Sequence, residues 1–590
     1  MIGYRFTGWN TAPNGNGTPY PAGATYSANE KVTLYAQWEA VETVDFTLGS
    51  SAVNHGDPVT LSSKKQGATI YYRIGDAAET TGTLGQPVMV TLYNEKYLPP
   101  DATGAYAEIP ENGHVTITAY AKYADGTQSK ETTGTYTLNQ YTVSYEGGGD
   151  TSGTVPSEQF YSGGSVAVQS GDSLTKEGYT FKEWLGNDGQ FYSQGDVYGE
   201  DENLTLTAQW DPNTYTVLFD PNVGSYSAAN LPTQKFTYDV EKKLDWNRFT
   251  PPTGHEFVGW KGDDDNVYTD EEAVKNLTTE WNGTVTLYAQ WGRKLQDSAQ
   301  VPSGYTSPHA PSTGSSRYVE FGYWPQSVKA DGVTVDTKLS KEVGMFTYYL
   351  GSDGNWYVKE GDKYYKVEPI VWRVLTESYN SASNVLLLAE KILIGINYWD
   401  DDKNNYMESI VRQWLNSNNG TAVQSDYADV DYGFLQTAFT TSAQALIAET
   451  DVDNSAASTF GMGESTQDNP YACGNTTDKI FLLSMQEVSN KDYGFAVYGR
   501  EDSTRIRFPT DYAKATGVNK NSTEVDGGGG WWLRSPFYYS DERFAHTVGE
   551  KGRANGSHFV YDYGNDAHTI YRDSNGGIVP ALCIPVSKLP

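Results

Sequence analysis

Strict alternation of apolar and polar residues recurs in short stretches along the chain and predicts strands far more often than helices. In residues 32–38, Val32, Leu34, Ala36 and Trp38 fall on one face and Thr33, Tyr35 and Gln37 on the other, the signature of a half-buried strand. The pattern returns as LTLTAQW at 204–210 and VTLYAQW at 285–291. Each copy is preceded by a second aromatic stretch: GYRFTGW at 3–9, GYTFKEW at 178–184 and GHEFVGW at 254–260. The second and third copies also carry an upstream strand, YTVSYE from Tyr141 and YTVLFD from Tyr215, which the first copy lacks. The chain is therefore expected to begin inside a repeat, with Met1 an internal start or a truncation. Repetition at this spacing predicts a string of small units.

Between the first two copies, residues 41–139 hold short alternating strands split by Gly, Asp and Pro, such as ATIYYR at 68–73 and HVTITAYAKY at 114–123, as in a small β-sandwich. From Lys294 to Arg317 the chain turns to Ser, Pro, Gly and Thr without periodicity and reads as a semi-extended linker. The remainder is expected to form one domain. Its run VLLLA at 385–389 has no polar face and predicts a central strand covered on both sides. Ile410, Val411, Trp414 and Leu415 form one helical stripe and predict a helix over 407–417, and SMQE at 484–487 offers a capping box for a second.

Composition narrows the class. A net charge of −32, from 42 Lys+Arg and 74 Asp+Glu, would repel a nucleic-acid backbone over most of the surface. Cys473 and Cys583 are the only cysteines, so a disulfide framework and a C-x-x-C zinc site are excluded. No 18-residue apolar run is present, nor a basic segment and apolar stretch after Met1, so any export signal lies outside this sequence. The 45 tyrosines fit strands and wet interfaces, where the ring packs and the hydroxyl stays hydrated.

The paired aromatic stretches resemble the Listeria-Bacteroides repeat of internalin-type surface proteins, which implies small β-grasp-like modules of exported bacterial proteins acting as a stalk or spacer. The GATIYY stretch at 67–72 is similar to the accessory C-terminal domain of chitobiase-type enzymes, a resemblance that covers fold alone. A third resemblance rests on six motifs in order: FGYWPQ at 321–326, WRVL at 372–375, RQWLN at 412–416, FLLS at 481–484, WWLRSP at 531–536 and PALCI at 580–584. It points to a bacterial family of uncharacterised function, akin to formylglycine-generating enzymes and to variable proteins of diversity-generating retroelements. It implies a C-type-lectin-like fold whose late strands and loops form the ligand face. The expected architecture is multidomain: a truncated β-grasp-like repeat at 1–39, a β-sandwich at 40–139, repeats at 140–211 and 212–293, the linker at 294–317 and a mixed α+β C-type-lectin-like domain at 318–590.

Within that last domain, Trp531, Trp532, Arg534 and Pro580 are expected to be frame, since WWL beside four glycines needs close packing and a guanidinium can pin a loop. Tyr538, Tyr539, Asp541, Arg543, His546, Asn555, Ser557, His558, Tyr561, Tyr563, Asn565, His568, Tyr571 and Arg572 are the candidate ligand-binding set, because rings provide contact area at low entropy cost and short polar groups adapt. An ordinary solvated set of loops is the bland alternative. His546, His558 and His568 lack a short ligand interval, and the E-P-N, Q-P-D and W-N-D signatures of sugar-binding lectins are missing, so neither zinc nor calcium is expected. Asp400 to Asp402 and Asp263 to Asp265 read as solvated acidic turns. A formylglycine-type oxidase would need a cysteine pair, yet Cys583 sits in an apolar strand, and no G-x-S-x-G, H-E-x-x-H or P-loop is present. No cofactor and no catalysis are expected. The expected function is that of a monomeric surface or secreted bacterial adhesin-like protein whose stalk displays a recognition domain, its late loops diversified in one version, to an extracellular protein or glycan. An extracellular polysaccharide-acting enzyme and a purely structural spacer are the alternatives.

Overall fold

The computed structural model describes the chain except residues 225–229, 313–315, 397–404, 418–432, 460–468, 519–527, 538–543 and 560–575; of residues 544 and 555–559 it describes the backbone alone. The chain forms two compact units, residues 1–216 with 235–242 and 274–285, and residues 217–234 with 243–273 and 286–590.

In the first unit, strand Tyr4–Asn10 pairs antiparallel with Tyr35–Ala40, and Tyr179–Gly186 pairs likewise with Leu204–Pro212. A β-bulge interrupts both pairings at the same place, between Phe6 and Gly8 and between Phe181 and Glu183, and recurs in the second unit between Phe257 and Gly259. Residues three apart on a regular strand face opposite ways; one extra residue returns them to a common face. The bulge thus lets each phenylalanine meet two tryptophans edge-on. Phe6 lies 5.3 and 5.4 Å from Trp9 and Trp38, Phe181 5.1 and 5.8 Å from Trp184 and Trp210, and Phe257 5.0 and 5.6 Å from Trp260 and Trp291. The second repeat adds a lead strand, Tyr141–Glu146, parallel to Leu204–Pro212, which makes a mixed five-stranded sheet. Residues 45–138 fold as two sheets of four and five strands whose alternating residues, among them Val59, Ile70, Leu92 and Ile117, share one core.

In the second unit the third repeat is fixed to the C-terminal domain. The Trp356 indole donates to the Arg293 carbonyl at 2.9 Å, and Arg293 N–H donates to Gly354 at 2.8 Å. Ion pairs Lys261–Asp336 at 2.8 Å and Lys341–Glu256 at 2.6 Å close the contact. Gly292 is required there, since a Cβ would stand 2.6 Å from the Trp356 ring.

Beyond Arg293 the segment expected to be a semi-extended linker lies against the domain at several points. Ala299 is buried in the domain core, Gln300 bridges to Glu320, Ser307 donates to the Glu390 carboxylate at 2.7 Å, and His309 stacks on Phe508 at 5.0 Å. Composition marked a segment without periodicity. It did not reveal that apolar and hydroxyl side chains spaced along it find partners on the domain.

The domain is built on a sheet that includes, side by side, Lys363–Thr376, Asn384–Ala389, Ala581–Pro585 and Ile480–Phe481. The apolar run 385–389 is fully buried in its centre. Helix Ile410–Asn416, capped by Ser409, turns Ile410, Val411, Trp414 and Leu415 inward and is shorter than the expected 407–417, its first turn being a separate 3-10 turn at Tyr406–Glu408. At 484–487 the capping box forms, with Glu487 accepting from Ser484 N–H at 2.7 Å and Ser484 from Glu487 N–H at 3.2 Å. Only a 3-10 turn, Glu487–Ser489, comes after it, which corrects the expected helix. The Glu487 carboxylate also accepts from Tyr379 and Arg534.

Candidate functional site

A second sheet carries the late segment, with strands in the order Ile394–Ile396, Gly576–Ile578, Trp531–Pro536, Phe544–Val548 and Ala554–Phe559. The WWLRSP strand is buried at every position. The Trp531 indole donates to the Arg505 carbonyl at 3.2 Å and that of Trp532 to Ile396 at 3.0 Å. A Cβ at Gly576 would stand 2.3 Å from the Trp532 ring, so the strand entering beside it needs glycine. Ser535 Oγ accepts from Met485 N–H at 2.8 Å, and the buried Pro580 supplies the carbonyl for Ala389 N–H at 3.0 Å.

Around this sheet, irregular segments are held by buried guanidiniums, each with several donors in a rigid fork. Arg534 donates to the carbonyls of Leu482 at 2.7 Å and Asp453 at 3.1 Å and pairs with Glu487. Arg505 reaches the carbonyls of Val488, Ala496, Arg500 and Gly552 at 2.6 to 2.9 Å. Arg507 bonds the Ala389 and Thr504 carbonyls and stands 3.6 Å from Glu390. Burial, together with repulsion from Arg507, pulls the Arg373 guanidinium down to about 10. Sequence reading gave a structural role to Arg534 alone; Arg373 stands in the WRVL motif without a role assigned to it, Arg505 and Arg507 carry no motif signal, and the side-chain reach of all three is visible only in three dimensions.

The hairpin of Phe544–Val548 and Ala554–Phe559 is anchored at its turn, where Arg505 holds the Gly552 carbonyl at 2.8 Å. Gly552 has a φ of +71°, and a Cβ there would come 2.0 Å from the Asp502 carbonyl, so only glycine fits. At the hairpin's other end, Pro536 faces Ala545 and Phe544 faces Phe559. Residues 537, 544 and 559 therefore meet at one end of the sheet. They flank segment 538–543 and lead into segment 560–575, whose other described neighbour, Gly576, lies toward the opposite end, where Gly577 pairs with Trp531. Asn469, directly after residues 460–468, joins them by donating to the Pro536 carbonyl at 3.1 Å.

The candidate binding residues divide accordingly. Tyr538, Tyr539, Asp541, Arg543, Tyr561, Tyr563, Asn565, His568, Tyr571 and Arg572 lie outside the described residues, as do Asp400 to Asp402. Asn555, Ser557 and His558 belong to the backbone of strand Ala554–Phe559 rather than to a loop. His546 is a correction: it lies in strand Phe544–Val548, is 0% exposed and packs edge-on against Phe537 at 5.0 Å. Its neighbours Ala545 and Thr547 are equally buried, so the strand is covered on both faces and His546 is not on a solvent-facing loop. Cys583 is buried among the strands of the first sheet, and burial pushes its thiol up to about 12; burial also raises that of Cys473. Among the described residues no cluster of His, Cys, Asp and Glu is arranged to hold a metal ion. No described helix is long and apolar enough to cross a membrane, which says nothing of a β-barrel.

Comparison with known proteins places these features. Residues 1–37, 141–209 and 215–290 match the Listeria-Bacteroides repeat domain, and residues 382–586 match a domain of unknown function, DUF6273. A protein of Evansella cellulosilytica provisionally named a Gly-rich membrane protein is 30% identical over 309 residues, covering 49% of this chain and 29% of that protein. A second, provisionally named a membrane protein of the same organism, is 26% identical over 328 residues, covering 53% and 43%. The chain thus spans less than half the length of either relative. Among solved structures the Bacillus anthracis TIE protein aligns over 59% of this chain and 69% of its own at 9% identity, with a TM-score of 0.19. The comparisons identify Listeria-Bacteroides repeats within residues 1–290 and a DUF6273 match over residues 382–586.

Proposed function

We propose that this chain is a cell-envelope or secreted bacterial binding protein, not an enzyme, in which the repeats present the C-terminal domain for recognition of an extracellular protein or glycan. One observation carries the reading. A fully buried strand, a hairpin pinned at its turn by Arg505 and the Asn469 tether bring residues 537 and 544, which flank segment 538–543, and residue 559, which leads into segment 560–575, to one end of a rigid sheet. Those two segments hold seven of the candidate tyrosines, histidines and asparagines, residue types that binding loops favour. Rigid strands with variable connecting loops are how recognition sites are commonly built. Two further points support the reading. Relatives of this chain bear membrane-protein names, and Arg317, just before the domain's first strand, donates to the Pro590 carbonyl, so the two ends of the domain meet, as the C-type-lectin-like fold would have them.

The test is an array of bacterial, host-cell and glycan targets probed with the full chain and with a variant carrying Tyr538→Ala, Tyr561→Ala and Tyr571→Ala. Loss of roughly tenfold or more in affinity with unchanged thermal unfolding is expected. Equal binding by both chains to every target removes this face from consideration.

A further inference from the structure

The second repeat is seated on the β-sandwich through one turn. Ser162, Gly163 and Gly164 follow strand Gln159–Tyr161 and fit against two rings of the sandwich. A Cβ on Gly163 would stand 2.1 Å from the His55 Cβ, and one on Gly164 2.3 Å from the Tyr97 ring, so the turn enters as a glycine pair. The bond across the junction comes from Asn94, 0% exposed, whose side-chain amide donates to the Ser162 carbonyl at 2.6 Å. Asn94 is itself held by His55, since its backbone N–H donates to His55 Nδ1 at 3.1 Å. Beside them the Asn54 side-chain oxygen accepts from Asn139 and from the Tyr141 hydroxyl, both at 2.6 Å.

The counterpart turn of the third repeat, residues 238–240, is seated on the second repeat with different chemistry. Tyr238 N–H donates to the Asn213 carbonyl at 2.8 Å, the Tyr238 ring lies against Gly178, and Asp239 accepts from the Tyr179 hydroxyl at 2.7 Å. Asn213, buried like Asn94, donates to the Thr279 carbonyl at 2.7 Å. No histidine takes part in these bonds.

We infer that the junction between the sandwich and the second repeat is a latch released by protonation of His55, and that the junction at residues 238–240 is not. Imidazole accepts at Nδ1 only while neutral, with its proton on Nε2; imidazolium carries N–H on both nitrogens. An Nδ1–H would face the Asn94 N–H, donor against donor. Asn94 then loses its anchor, and Ser162 loses the amide that Asn94 positions. Around the imidazole stand the Tyr93 ring at 5.2 Å, the Tyr97 ring against Gly164 and, from the second repeat, Asp201. Nearby, Lys96 is paired with Glu111, and Asp57 accepts from Asn54 N–H at 2.7 Å. Burial lowers His55 below its ordinary value of 6.5, and the Asp201 carboxylate draws it partly back. The latched state thus favours the neutral ring. Its stabilisation is complete above 6.5 and is lost as pH falls through 6.5 toward the lower latched value. At the other junction, hydrogen bonds from Asn276, Tyr179 and Lys275 bring the Asp239 carboxyl down to about 2, so its bonds persist over that range. This inference does not depend on the function proposed for the C-terminal domain.

The experiment follows amide hydrogen exchange of the full chain by mass spectrometry, each rate divided by that of an unstructured peptide at the same pH. From about pH 7.5 to about pH 5, normalised exchange of residues 53–57, 92–97 and 159–164 is expected to rise about threefold or more, with residues 177–180 and 236–240 unchanged. His55→Asn places a carboxamide oxygen, which does not titrate, near the Nδ1 position and is expected to abolish the rise. Asp201→Asn removes the charge that favours imidazolium and is expected to move the rise to lower pH. No rise in the wild-type chain, a rise that persists in His55→Asn, an equal rise at residues 177–180 and 236–240, or a move to higher pH in Asp201→Asn would each overturn the inference.

Discussion

The second repeat and the C-terminal domain both have to hold loop backbone in place, and they use different donors for it. In the repeat the donors are neutral aromatic tips: the Trp184 indole holds the Gln169 carbonyl at 3.0 Å, and the Tyr161 hydroxyl holds that of Glu202 at 2.9 Å. In the domain they are guanidiniums, and Arg505 alone gathers four carbonyls from separate segments. An indole offers one donor and carries no desolvated charge; a guanidinium offers five and costs more to bury. A module of one small sheet has few loops to tie and is served by the first. A domain with long irregular connections needs the second, and needs a carboxylate beside some of its arginines, as Glu487 stands beside Arg534 and Glu390 near Arg507.

The comparison breaks most visibly at Arg534. Arg534→Met leaves Glu487 buried without its partner, and a loss of about 3 to 5 kcal/mol is expected, seen as a downward shift of the C-terminal domain's calorimetric transition with that of the second repeat unmoved. A shift under about 1 kcal/mol would mean that the guanidinium is not what holds the domain. Next in size, Trp184→Ala is expected to cost roughly 3 kcal/mol in the second repeat, from lost transfer and a cavity that a small sheet closes poorly. Trp38→Ala, at a half-exposed position, should cost under about 1 kcal/mol. Matching losses at the two sites would erase the distinction between a buried and a half-exposed indole. The smallest effect concerns the ion pair between the third repeat and the domain. Burial pushes the Asp336 carboxyl up, but the Lys261 ammonium and the Lys338 N–H outweigh it and leave it below its ordinary value of 3.8. Its contribution is therefore present above that value and is lost as pH falls through the lower folded one. Below about 1 kcal/mol is expected for so accessible a pair. Unfolding midpoints measured from about pH 5 down to about pH 2 should converge for wild type and Lys261→Met; parallel curves would show that the pair contributes nothing.

Periodicity made the strands legible, and repetition made the modules legible. The apolar run 385–389 became a central strand because a sequence without a polar face has nowhere else to go. The alternation of VTLYAQW predicted a one-sided strand, yet it did not predict the bulge after Phe6, Phe181 and Phe257, which depends on two strands being out of step. Motif position separated frame from loops in the late segment, but His546 was grouped with the loops on composition and stands in a covered strand. The same limit applies to residues 294–312. Ser, Pro and Tyr there look like solvent-loving linker until Glu390, distant in sequence, appears beneath them.

By itself the sequence determined where alternating strands lie and which stretches repeat, because strand periodicity and repetition are local properties of the chain. The tertiary structure alone decided what the polar residues do. Whether a Ser, His or Arg meets water or a buried carbonyl depends on segments tens to hundreds of residues away, as with Arg505 and Gly552 or Ser307 and Glu390. Hydrogen-bond partners at that distance are set by packing, and packing leaves no period in the sequence.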